Sequence, residues 1–222
     1  MDNNFKATLG KTVLFADIDV AGRDTLINCL APHIRQFSRN EILLLTGDSV
    51  NHIGIILAGT ASAYLEHIDG SQTLMSNLRP MSLFGEVLVS TRTHKSPVTV
   101  YATSEVTAAF IEYKRLLGLC GMACEAHRIF MQNMLKVIGD KYFRLFDRIN
   151  ILREKTLRAK ILAILYNLSG RGAASHVTIP FSKTMLAEYL MVNRSALSKE
   201  LRKMEDDGLI IVKGRDVKIL RP

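Results

Sequence analysis

Phe181–Leu220 reads FSKTMLAEYLMVNRSALSKELRKMEDDGLIIVKGRDVKIL, and its punctuation decides the architecture of the C-terminal third. Ser182 is a favourable N-cap, and Phe181 before it is spaced to staple onto Leu186. The helix started there is short and ends near Leu190. After Met191-Val192, Asn193 caps a second helix, Val192 is spaced to staple onto Leu197, and Gly208 stops that helix. Leu209–Val212 and Asp216–Leu220, separated by Lys213-Gly214-Arg215, read as a hairpin.

A short helix, a turn, a longer helix and a hairpin make a winged helix-turn-helix pattern. In the second helix Leu197, Leu201 and Met204 fall on one face and turn inward. Arg194, Ser195, Ser198, Lys199 and Arg202 are left outside, a face of cations and hydroxyls without an acid. Arginine donates two hydrogen bonds to guanine O6 and N7, and serine reaches a base or a phosphate. Arg194, Ser195 and Ser198 stand at the helix start, the part that meets base edges in a major groove. Lys199, Arg202, Lys213 and Arg215 suit the DNA backbone, with the hairpin as a wing. Ser182, Thr184 and Asn193 complete the candidate DNA-binding residues. The competing reading is a plain basic amphipathic helix.

The charge distribution points the same way. The net charge of +8 is carried almost wholly by residues 150–222, which hold 14 Lys/Arg against 7 Asp/Glu. A basic segment beside a neutral one implies a polyanionic partner, through release of condensed counterions. Over the whole chain the composition is that of a globular protein, with 48% hydrophobic residues. No apolar run approaches the roughly 20 residues of a membrane span, and no secretory signal opens the chain. Three cysteines are too few for a disulfide scaffold, so a cytoplasmic location and no membrane partner are expected.

Outward from the motif, Lys155–Leu168 reads as a helix ending at Ser169-Gly170-Arg171-Gly172. Before it, Phe130, Met134, Ile138, Tyr142, Leu145, Ile149 and Leu152 recur at helical gaps along Glu125–Leu152. Such a helix is about 42 Å long, more than a small domain needs, and the stripe predicts pairing with a second subunit. The alternative is packing on its own domain alone. Residues 34–112 change to strand-like runs: Glu41–Thr46, His52–Ala58, Thr60–His67, Ser71–Leu78, Pro97–Ala102 and Glu105–Glu112. Asp69-Gly70 is a two-residue hairpin signal between two of them. A short helix over 22–33 carries Leu26, Cys29 and Leu30 on one side.

With these residues laid out, the chain resembles the Crp/Fnr family of transcription regulators over nearly its whole length. The resemblance rests on the Gly47-Asp48 turn, the strand end Ile55–Gly59, Phe84-Gly85-Glu86, the long helix, and Asn193–Ser198. It implies an α+β fold: an antiparallel β-roll (a double-stranded β-helix, or jelly roll) over 1–120, a dimerisation helix over 121–152, and a winged helix-turn-helix over 153–222. It further implies a homodimer on a pseudo-palindromic duplex, a small-molecule effector, and RNA polymerase as a partner. In cyclic-nucleotide-binding members the Gly-Glu turn takes the ribose, and an Arg-Ser pair holds the phosphate. Gly85, Glu86 and Ser96 match, whereas Lys95 replaces the arginine and supplies a point charge without the planar fork. Phe143 and Arg144 stand where such members read the purine. Both departures argue against cyclic AMP and leave the effector unidentified. Tyr101, Lys136 and Lys141 are further candidate effector contacts, suited to an anionic or aromatic ligand. At the DNA face, Ser195 stands where many members have Glu, and Met191 where the turn often has Gly.

Other chemistries find less support. Cys120 and Cys124 at i, i+4 are a weak metal or redox signal and read as small buried residues. Haem ligation would draw on His52, His67, His94 or His127, and the chain lacks the N-terminal cysteine cluster of iron–sulfur members. No phosphate loop, G-x-S-x-G or H-E-x-x-H supports an enzyme. The main competing function is a ligand-binding β-roll that signals through a protein partner.

Overall fold

The computed structural model describes residues 3–118 and 124–220, which fall into two compact units, Met1–Asp140 and Lys141–Pro222. In the first, two four-stranded antiparallel sheets face each other. One runs β1 (His33–Phe37), β8 (Val106–Glu112), β3 (His52–Ala58), β6 (Leu83–Phe84). The other runs β2 (Ile42–Leu44), β7 (Thr99–Ala102), β4 (Ala61–Glu66), β5 (Gln72–Leu78). Strand β3 explains the layering, because side chains alternate faces and both of its faces are buried. Ile56 joins Phe37, Ala63, Phe84, Val100 and Ala108 between the sheets. Ile53, Ile55 and Leu57 point the other way, onto α1 (Asn3–Leu9), α2 (Val20–Leu30) and the start of α4 (Glu125–Arg153). The expected roll is therefore present, with helices covering one outer face.

Several elements depart from the sequence reading. Strands β1 and β6 and helix α1 were not anticipated, whereas α3 (Tyr113–Leu117) begins where the strand-like runs end. Asp69-Gly70 sits at the tip of the β4–β5 hairpin but within a longer connection, closed by His67 N–H to Ser71 O at 2.9 Å. The apolar stripe of α4 does not act as one surface. Phe130 and Met134 are buried against the roll, whereas Tyr142, Leu145 and Ile149 are 63%, 50% and 48% exposed. The large apolar side chains of α4 that face solvent are Leu135, Tyr142, Phe143, Leu145, Phe146 and Ile149, three of them members of the expected stripe.

The second unit holds the C-terminal turns of α4, then α5 (Leu157–Leu168), β9 (His176–Thr178), α6 (Lys183–Tyr189), α7 (Arg194–Asp206) and a hairpin of β10 (Ile210–Lys213) and β11 (Asp216–Ile219). Thr156 caps α5 through Ala159 N–H. The hairpin becomes a three-stranded sheet because β9, unanticipated, pairs with β11. Ile161, Leu165, Leu186, Leu197, Leu201, Met204 and Ile210 share its core.

Candidate functional site

The DNA-facing candidates are positioned by two helices and a turn. Ser182 caps α6, its hydroxyl accepting from Met185 N–H at 3.2 Å. Phe181 and Leu186 share the core, but the ring of Phe181 stacks on Tyr189, at 4.9 Å and 26°, further along the helix than the expected staple partner. Met191 turns the chain with φ +56°, a left-handed conformation that glycine adopts without strain. Asn193 occupies the N-cap position of α7 yet makes no side-chain capping bond, which corrects the expectation that its side chain caps the helix.

On α7 the two faces separate as the spacing predicts. Leu197, Leu201 and Met204 are buried; Arg194, Ser195, Lys199 and Arg202 are exposed and Ser198 is half-buried. The five outward residues run over about 12 Å of one helical face, at 1.5 Å per residue. Ser182, Thr184 and Asn193 are exposed at the starts of α6 and α7, and Lys213 and Arg215 flank Gly214 at the hairpin tip. Between Arg194 and Arg202 no acid falls on this face, and Glu200 and Asp207 are held on the other side of the helix. Arg158 of α5 binds both, Nε to Glu200 Oε1 at 2.7 Å and Nη1 to Asp207 Oδ2 at 2.6 Å, and these carboxylates raise its pKa. This fork anchors α7 from behind. Sequence spacing did not reveal it, since the partners lie 42 and 49 positions away.

The effector candidates are distributed differently. Gly85 has φ +79°, and a Cβ there would stand 2.9 Å from His52 O, so glycine is required. Glu86 beside it is buried. The Gly47-Asp48 turn is laced to Lys95-Ser96 by Gly47 N–H to Ser96 O at 2.8 Å and Ser96 N–H to Asp48 O at 3.0 Å. Ser96 is buried, and its hydroxyl donates to Val98 O at 2.7 Å; Lys95 is exposed. Tyr101 donates its hydroxyl to Glu66 at 2.9 Å, which raises its pKa, and its ring lies 6.3 Å from Tyr64. Lys136 is exposed with its ammonium turned to Asn133 Oδ1 at 3.4 Å, and Lys141 opens the second unit, half-buried.

Among the histidines, His127 is buried with Nε2 against Leu116 O at 3.1 Å, His67 bonds Thr73, His94 lies 6.1 Å from the Tyr113 ring, and His52 is exposed. Among the described residues no group of three or more His, Cys, Asp or Glu is placed to hold a metal ion. Cys124 is half-buried, and Cys120 lies outside the described residues.

Comparison with known proteins follows this division of the chain. Residues 34–122 match the cyclic nucleotide-binding domain and residues 159–222 the Crp-like helix-turn-helix domain. The transcriptional activator protein FnrA of Stutzerimonas stutzeri is 24% identical over 191 residues, covering 84% of this chain and 76% of FnrA. The transcriptional activator protein Anr of Pseudomonas aeruginosa is likewise 24% identical over 191 residues, covering 84% and 76%. Among solved structures, the regulator CLP of Xanthomonas campestris superposes with a TM-score of 0.64 at 19% identity, covering 90% of this chain and all of CLP. CprK superposes with a TM-score of 0.70 at 16% identity, covering 89% of this chain and 92% of CprK. Both matched domains, their order and the relatives agree: the chain belongs to the Crp/Fnr family of transcription regulators.

Proposed function

We propose that this protein is a sequence-specific DNA-binding regulator that acts as a cytoplasmic homodimer and answers to a small molecule other than cyclic AMP. The observation that carries the reading is the outward face of α7, where Arg194, Ser195, Ser198, Lys199 and Arg202 stand free of acids above a buried apolar face. Arg194 at the helix start is the base-reading residue, and the remaining cations with Lys213 and Arg215 meet phosphates. The dimer contact is the exposed row on α4, where Tyr142, Phe146 and Ile149 follow at gaps of 4 and 3, the seam spacing of paired helices. RNA polymerase is the partner through which a bound dimer acts.

Two features favour an effector other than cyclic AMP. Lys95 brings one point charge where a cyclic phosphate needs a fork, and the Ser96 hydroxyl is already committed to Val98 O. Similar rolls are not tied to one ligand, for CLP is described as c-di-GMP-responsive and CprK as complexed with OCPA. The three functional segments are the roll over 1–120, the dimer helix over 121–152 and the DNA-binding domain over 153–222.

Substituting Arg194→Ala tests the reading. Selective binding to the preferred duplex is expected to weaken by about 1–3 kcal/mol, with one base position relaxed in each half-site. Unaltered selectivity would remove Arg194 from base reading.

A further inference from the structure

Arg148 is out of character for its place. It lies near the end of α4, one turn before the buried Ile151, and is itself only 7% exposed. A basic residue on a long helix normally extends into water, because burying a cation forfeits its hydration. Here the guanidinium carbon lies 4.7 Å from the centroid of the Tyr189 ring. The same ring stacks on Phe181. Guanidinium, phenol ring and phenyl ring thus succeed one another from α4 across α6.

The sequence positions of the two rings matter. Phe181 immediately precedes Ser182, the N-cap of α6, and Tyr189 is the last residue of that helix. One stack therefore seizes both ends of the first helix of the helix-turn-helix motif. From Tyr189 only four residues, Leu190–Asn193, lead to the first residue of the recognition helix. Whatever fixes Tyr189 fixes where that helix begins.

We propose that the Arg148–Tyr189–Phe181 stack is the device that orients the helix-turn-helix on the C-terminal turns of α4, with Arg148 as a positioning residue for DNA recognition. A cation over a ring is a directional contact, strongest where water is excluded, unlike the aliphatic packing around it. It holds α6 in one rotational setting where leucine-like packing tolerates several. Burial pulls the Arg148 guanidinium below its ordinary pKa and pushes the Tyr189 phenol up, as expected for a pair drawn out of water. The proposal rests on the regulator reading for its consequence on DNA, though not for the stack itself.

Three variants of the full-length chain separate the possibilities. Tyr189→Phe keeps the ring, Tyr189→Leu removes it, and Arg148→Met keeps length and burial without the cation. Each is titrated against duplexes carrying the selected half-sites at separations varied base pair by base pair. Hydrogen exchange of the α6 amides is followed in parallel without DNA. Tyr189→Phe should behave as the unaltered protein. Tyr189→Leu and Arg148→Met should lose about tenfold in discrimination between correct and shifted separations, and α6 exchange should quicken by a similar factor. Affinity for a single half-site should stay within about twofold, because the reading face is untouched. Intact spacing discrimination in both ring and cation variants, or equal damage from Tyr189→Phe and Tyr189→Leu, overturns the proposal. Should the unaltered protein bind no duplex at all, the regulator reading falls, and unchanged α6 exchange in the variants then overturns the stack separately.

Discussion

Two single residues show how a local conformation sets a measurable property. Met191 adopts φ +56° in the helix-turn-helix turn and is 59% exposed. A left-handed conformation costs a residue with a Cβ about 1–2 kcal/mol, partly offset by the greater freedom that glycine loses on folding. Met191→Gly is therefore expected to raise stability by about 0.5–1 kcal/mol in denaturant unfolding, with little packing lost. At the hairpin tip, Asp69 accepts from both the hydroxyl and the N–H of Ser71, which holds its carboxyl below the usual range. A depressed folded-state pKa contributes above the ordinary value and is lost as pH falls through the folded one. Ser71→Ala should move the Asp69 midpoint upward in an NMR titration; an unmoved midpoint would deny the bond its role. Buried Arg148 owes its setting to the tertiary fold. A basic residue in an amphipathic helix reads as solvated, and only the fold brings Tyr189, 41 positions away, beneath it.

At the scale of elements, the long helix serves two masters along its length. Phe130 and Met134 cover the roll, and Tyr142, Phe146 and Ile149 are left outside. For the proposed dimer, Phe146→Asp is expected to shift the equilibrium to monomer in sedimentation, because a charge in a paired-helix seam must be desolvated. A dimer that persists would place the contact elsewhere. Thr156 caps α5 through Ala159 N–H, so Thr156→Ala should cost about 1 kcal/mol in the second unit's unfolding. Sequence periodicity located α4, six of the eight roll strands, and the α6–α7 pair, because each has a clear period or a clear cap. It missed β1, whose HIRQF buries only Phe37, and β6, which is two residues long. It also merged two faces of α4 into one stripe. Gaps of three and four are shared by neighbouring rows of a helix, and which row meets which partner is a tertiary fact. The division of α7 into a buried apolar face and an outward basic face was legible since amphipathicity there is sharp; the Arg158 fork behind it was not, being a contact between distant helices.

For the molecule as a whole, the asymmetry of charge is the property that function must explain. The last 73 residues hold 14 Lys/Arg against 7 Asp/Glu, with Lys213 and Arg215 at the β10–β11 tip and Arg194, Lys199 and Arg202 on the outward face of α7. Under the proposed function, a roll that senses and a basic domain that reads make a regulator when a ligand binds one arrangement of the proposed dimer better than another. The most direct measurement is selection of duplexes from a random pool by the full-length protein, with the enriched site then titrated at two salt concentrations. An inverted repeat with half-site centres about 34 Å apart is expected, bound far more weakly at the higher salt. A pool left unenriched, or a selected sequence that Arg194→Ala leaves unaltered, would contradict the proposed function.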